Sequence, residues 1–380
     1  MNTSLRSILT PGVIVRLALG WGAFAALLLA QPLLAGPLPG PALVVALVAI
    51  VAIIVVCAFG VVTEAEHLAH RLGDPYGTLV LTLSIALIEV ILISAVMLGP
   101  GEHATIARDS VMAVSMIILN LVIGVALLIG GLRHRDLRAN STGVSTYLAM
   151  LVVLAMLAFA LPGLIGEGDA YTIGQAIPII VATVVLYVFF LVRQMGAQKS
   201  DFQEISSRSD RLVAPERVVR PSVTHVIAEH RVELLARIVV LVLTVVPIVL
   251  LSHDMAVLLD DGLHRISAPV ALSGILIAMI VFLPETLTAI RAALAGEAQR
   301  VSNLCHGALV STVGLTIPAV LTIGLLTGQQ VVLAENPTNL VLLGVTLLLT
   351  LATFSGTRVT ALHGAAHLTV FFVYALTVFA

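Results

Sequence analysis

Two glutamates stand where a carboxylate is least at ease. Glu89 lies inside the apolar run PYGTLVLTLSIALIEVILISAVM, and Glu285 lies inside APVALSGILIAMIVFLPETLTAI. Glu89 is flanked by Leu87, Ile88, Val90 and Ile91, with no basic residue within a helical turn. A carboxylate ionised deep in hydrocarbon costs several kcal/mol, so it either takes a proton or holds a cation. One carboxylate cannot do both at once, which makes such a residue an exchange element. The plainer alternative is a pair of neutral, hydrogen-bonded acids that help helices pack. The exchange reading is preferred because ionisable side chains inside membrane spans are functional by default.

Neutral oxygens stand ready to complete a cation shell. SMIILNLVIG, in the span after Glu89, offers Ser115 and Asn120, while GALVSTVGLTIP, after Glu285, offers Ser311, Thr312 and Thr316. Taken singly, polar groups of this kind more often hydrogen-bond a neighbouring helix. Matching positions in two halves strengthen the ligand reading. Pro284 removes a backbone donor beside Glu285, which either frees carbonyls for a hard cation or simply kinks the helix. Near one helix end stand Glu64, Glu66, His67 and His70. Glu66 and His70 share a face, so Glu66, His67 and His70 form a candidate proton or cation pathway, against the simpler reading of a solvated interfacial end. His363 and His367 read as a satisfied packing pair rather than a metal site, since no third ligand is evident.

The elements that must position these residues follow from composition. The chain has 380 residues, 59% hydrophobic and 11% charged, with mean hydropathy +1.12. Soluble domains run to about 25% charged. A soluble enzyme and a nucleic-acid binder are thereby excluded, and two cysteines in apolar surroundings imply no disulfide framework. The fold class is an all-α polytopic membrane protein. A span needs about 20 apolar residues, and eleven are expected, near 13–35, 40–63, 75–98, 109–131, 143–164, 171–193, 234–252, 267–290, 303–327, 338–354 and 359–379.

These divide into an N-terminus with a leading helix (1–38), a first five-helix repeat (39–193), a polar linker (194–233) and a second five-helix repeat (234–380). An odd number of helices per repeat inverts the second copy in the bilayer. Glu89 lies 14 residues after Pro75 and Glu285 lies 16 after Pro269, so the two acids reach comparable depth. Inverted repeats with a site at their interface are a transporter layout. With the N-terminus cytoplasmic, seventeen basic residues fall inside and two, Arg108 and Arg265, outside. That asymmetry sets the orientation, with the C-terminus outside, and the expected location is the cell inner (plasma) membrane. GxxxxGK[ST], HExxH and TVGYG are all absent. These absences weigh against nucleotide-driven pumping, metalloprotease chemistry and a potassium filter.

Eleven spans, a hydrophilic break after the sixth and one glutamate per half resemble the calcium/proton antiporters of the cation/calcium exchanger superfamily. The runs HRLGDPYGTLVLTLSIALIEVILISAVM, LPETLTAIRAAL and SGTRVTALHGAAHLTVFFVYALTVFA resemble most closely its bacterial sodium-potassium/calcium–proton branch. The resemblance implies that the glutamates of the two repeat motifs are Glu89 and Glu285. It places the later Asn on Asn120, the polar stretch of the second repeat near Ser311 and Thr312, and the acidic end of the second helix near Glu66. The Gly-Asn that precedes each family glutamate is missing here, where SIALIE and VFLPE stand instead. Fewer hard ligands argue against strict calcium selectivity and bring in sodium and potassium. The expected function is secondary antiport of Ca2+, Na+ or K+ against H+ by alternating access, with no cofactor and no enzymatic activity. The expected partners are inorganic cations, protons and the lipid bilayer, with no nucleic acid and with homo-oligomerisation left open. A passive cation channel and a membrane-embedded metal-dependent hydrolase are the alternative classes.

Overall fold

The structure is a computed structural model that describes residues 8–34, 38–72, 76–97, 104–134, 137–204, 223–267 and 271–378. Among the described residues it is all-helical, with isolated bridges such as Leu137 to Val359 in place of strands. The chain runs through α1 (Pro11–Leu34), α2 (Gly40–Leu72), α3 (Tyr76–Met97) and α4 (Ile106–Met116). A π-helical turn, Ile117–Val122, joins α4 to α5 (Ile123–Arg133). Next come α6 (Ser141–Ala155), a second π turn leading into α7 (Leu161–Ile165), and α8 (Ile173–Met195). The second half holds α9 (Val223–Arg265), α10 (Ala271–Val281), α11 (Leu283–Ala295), α12 (Ala298–Thr327), α13 (Pro337–Ser355) and α14 (Ala361–Val378).

Nine helices among the described residues are long and apolar enough to cross a membrane. With α3 and the broken pair α10–α11 they fall, one for one, on the eleven expected spans. The protein is a multi-pass membrane protein. The seventh span is much longer than its apolar core suggested. Residues 223–233, expected in the linker, already belong to α9, which bends at His230.

The packing partners repeat between halves. Helix α2 packs on α9, the helix that opens the second half. Helix α3 packs on α12 as α10–α11 pack on α4–α5, and α12 packs on α8 as α4–α5 pack on α14. The two helices after the glutamates, α4–α5 and α12, therefore stand at the centre. Their residues are mostly buried, whereas outer helices such as α8 and α13 expose long apolar faces to the bilayer.

Where helices meet closely, small residues allow it. A Cβ on Gly364 would lie 2.4 Å from Leu128 N and 2.6 Å from Gly124 O, so α14 and α5 approach backbone to backbone. Prolines inside helices free carbonyls that lipid cannot satisfy. Pro247 leaves the carbonyl of Leu243 without its helical amide, and Trp21 Nε1 of α1 donates to that oxygen at 3.0 Å. The single tryptophan thus fastens the leading helix to α9.

Candidate functional site

Glu89 sits midway along α3 and is buried. Its Oε2 accepts a hydrogen bond from Thr312 Oγ1 of α12 at 2.6 Å, while its Oε1 has no partner. Glu285 lies in the first turn of α11, just past the interruption that Pro284 and Phe282 make between α10 and α11. The helix breaks there because the proline lacks the amide that would bond Ile280 O. Both oxygens of Glu285 are buried with no partner beyond its own backbone amide. A helix N-terminus favours negative charge, so this is where an ionised carboxylate is best tolerated. Glu89 lies near enough to Glu285 for its charge to bear on it.

Three carboxylate oxygens in this region therefore lack a side-chain partner. Thr316 Oγ1, one turn beyond Thr312 on the same face, is also buried and unpartnered. Orphaned buried acceptors are costly, at about 1–3 kcal/mol each and more when charged. Protons and hard cations are the species that such an oxygen set satisfies.

The remaining expected residues divide. Thr312 comes to Glu89, but Ser311 turns the other way, its Oγ accepting from Tyr187 Oη at 3.0 Å. Asn120 falls in the π turn between α4 and α5 and is fully buried. Its Nδ2 donates to Thr346 Oγ1 at 2.8 Å, and its Oδ1 lies 3.3 Å from His367 Nδ1. His367 Nε2 in turn lies 3.2 Å from Thr353 Oγ1. Asn120 thus joins α4–α5 to α13 and α14. Ser115 Oγ donates to its own helix at Val111 O.

His363 Nδ1 accepts from the Thr360 amide at 3.0 Å at the start of α14, and no group of three metal-ligating side chains occurs among the described residues. Glu66 pairs with Arg291 at 2.8 Å on a partly exposed surface, and His67 is exposed. The side chain of His70 lies outside the described residues.

Glu64, taken from the sequence as part of a solvated helix end, is instead 3% exposed. Its Oε2 accepts from Arg237 Nη1 at 2.9 Å. Arg237 also reaches Glu233, which in turn meets Arg71. This ion-pair cluster locks α2 to α9. The pair is hidden in the sequence because its members stand 173 positions apart and meet only when α2 and α9 pack.

The arrangement is that of a secondary transporter, and comparison with known proteins agrees. The family described as "Sodium/calcium exchanger protein" matches residues 42–196 and 235–380. The sodium-potassium/proton antiporter ChaA of Escherichia coli (strain K12) is 32% identical over 326 residues, covering 85% of this chain and 86% of that protein. Among solved structures, the H+/Ca2+ exchanger CAX has a TM-score of 0.66 at 14% identity, covering 97% of this chain and 89% of its own. Native YfkE has a TM-score of 0.65 at 17% identity, covering 96% and 99%. At those identities the structures establish the fold alone. The chain belongs to the sodium/calcium exchanger protein family. It is a secondary transporter, not an enzyme.

Proposed function

We propose that this protein exchanges protons for an inorganic cation, Ca2+, Na+ or K+, at a site built on Glu89 and Glu285. The observation that carries the reading is the set of buried carboxylate oxygens, Glu89 Oε1 and both oxygens of Glu285, left without side-chain partners. Two nearby acids titrate as a coupled pair, so binding one cation displaces protons from the pair rather than from one residue. Thr312 holds Glu89 in place, and Thr316 offers a further hard oxygen. Asn120 acts through the π turn and its bonds to Thr346 and His367, and Ser311 through Tyr187.

The two halves, 39–193 and 234–380, are inverted repeats in this account, and the matching pairs of packing partners support it. Alternating access then follows from one half rocking against the other about the fixed site. The N-terminus, the linker and the Glu66–Arg291 pair face the cytoplasm, and the C-terminus faces outward. The protein lies in the inner membrane and exports its cation as protons enter. Glu66, with His67 and His70, stands at the cytoplasmic mouth.

Purified protein in liposomes with an imposed pH gradient tests the function. Addition of Ca2+, Na+ or K+ collapses the gradient for at least one of the three and at transporter rates. A gradient unmoved by all three, or ion currents without proton movement, overturns the proposal.

A further inference from the structure

A buried polar cluster outside the carboxylate site lies between α6, α8 and the start of α12. Gln194 Nε2 donates to Tyr147 Oη at 2.6 Å, and Tyr147 Oη donates to Asn303 Oδ1 at 3.5 Å. Gln299 Nε2 donates to the same oxygen at 2.8 Å. The cluster borders a cavity of about 10 Å³, whose walls also include Thr82, Phe190 and Ser311. That is the space of about one water molecule. Gln194 is 4% exposed and its Oε1, at this cavity, has no partner. A polar cavity of this size beside an unmet carbonyl is where a buried water belongs.

Two of the cavity's lining residues, Thr82 and Ser311, stand on the helices that carry Glu89 and Thr312. Thr82 stands two helical turns before Glu89 on the same face of α3. Ser311 adjoins Thr312, whose hydroxyl holds Glu89. Three lining residues of the cavity, Tyr147, Phe190 and Asn303, are in turn contacted by Phe202, in the short 3₁₀ turn Lys199–Phe202 that follows α8.

Four separate ties dock that turn. Phe202 is 1% exposed and meets Tyr147 edge-on at 5.1 Å and Phe190 at 6.1 Å between ring centres. Its carbonyl accepts from Asn303 Nδ2 at 2.7 Å. Glu204 accepts from the Gln299 and Arg300 amides, capping α12. Gly143 of α6 lets the turn come close, since a Cβ there would lie 2.1 Å from Asp201 O. Immediately outside Phe202, Ser200 and Glu204 are exposed.

We infer that the Gln194 cavity is a single-water site on the approach to Glu89 from the linker face, and that Phe202 is the plug that closes this approach. With Phe202 docked, the passage holds one water and has no room for a hydrated cation. With the turn lifted, it admits the cation. The inference rests on Glu89 being the exchange site, but its test does not require transport.

In a Cys57→Ala/Cys305→Ala background, Thr82→Cys is treated with a charged, water-soluble methanethiosulfonate reagent. Reaction is slow with Phe202 in place and at least tenfold faster with Phe202→Ala. Gly143→Ala, which lifts the turn without altering a cavity residue, accelerates it in the same direction. Phe202→Leu replaces Phe202→Ala should the latter fail to yield monodisperse protein. Hydroxyl-radical footprinting reads the water itself: Tyr147 is labelled, and Gln194→Leu suppresses that label. The inference is overturned if the folded plug variants react at the parent rate, if Thr82→Cys reacts as fast as an exposed Ser200→Cys control, or if Tyr147 labelling is unchanged by Gln194→Leu. Repeating the labelling with Glu89→Gln separates failure of the gate from failure of the antiport reading, since the gate persists without exchange.

Discussion

Replacing Arg237 by methionine isolates what the buried ion pair contributes. The side chains are 11% exposed for Arg237 and 4% for Glu64, and they meet at 2.9 Å across α2 and α9. Arg237→Met leaves Glu64 as a charge in a dry interface, whereas Glu233 keeps Arg71. Breaking a buried pair from one side costs about 3–5 kcal/mol. At about 1.36 kcal/mol per decade, that lowers the ratio of folded to unfolded protein by roughly 150- to 5,000-fold. The exposed pair Arg265–Asp261 serves as a control, being shorter still at 2.6 Å but 35% and 43% exposed. Such surface pairs are worth about 0–1 kcal/mol. Equilibrium unfolding in mixed micelles should therefore separate Arg237→Met from Arg265→Met by more than 2 kcal/mol (roughly the difference of those ranges). Adding Glu64→Gln to Arg237→Met removes the stranded charge and returns most of the loss. A single variant costing no more than the surface control, or a double variant no better than the single, would refute the reasoning.

Thr312→Val removes the one side-chain hydrogen bond that Glu89 accepts. Hydrogen bonds to charged groups contribute about 1.5–3 kcal/mol, so the cation concentration for half-maximal exchange rises about 10- to 150-fold; Thr312→Ser should restore most of it. Gly364→Ala forces α14 away from α5 and lowers the yield of monodisperse protein, whereas Gly344→Ala, with open space at its Cβ, leaves yield and unfolding unchanged. Burial pushes the Glu335 carboxyl, in the turn before α13, above the usual glutamate range, against the bonds it accepts from Asn336 and Asn339. A raised acid stabilises the fold fully at pH below its unfolded pKa, and that contribution is lost as pH rises through the folded pKa. Unfolding curves measured from pH 4 to pH 8 should thus show Glu335→Gln flatter than the parent over that rise (roughly the window in which a buried carboxyl titrates).

The helical architecture was legible because lipid enforces it. Long apolar runs punctuated by Gly, Pro and charge can only be spanning helices, and the eleven spans stand where the composition put them. The two glutamates were legible for the same reason, as the rare acids in such runs. Pro284 announced the break beside Glu285, which the structure places at Phe282. What escaped were features made by tertiary contact. The π turn at Asn120 has no signature in IILNLV, and it decides that Asn120 faces Thr346 and His367. Ser311 and Thr312 are adjacent in sequence, yet on a helix they point to different neighbours, Tyr187 and Glu89. Glu64 looked solvated beside Glu66 and His67 until Arg237, far along the chain, was packed onto it. Phe202 looked like part of a plain linker, and only its docking against Tyr147 and Phe190 sets it apart.

The central claim is that Glu89 and Glu285 form one coupled exchange site. It is tested most directly by measuring, in pH-gradient liposomes, the protons released on cation binding by the parent, Glu89→Gln, Glu285→Gln and the double variant. The account predicts that either single variant abolishes exchange and that the double variant is no worse than the singles, because the pair acts as a unit. Full exchange in either single variant, or losses that simply multiply in the double, would contradict it.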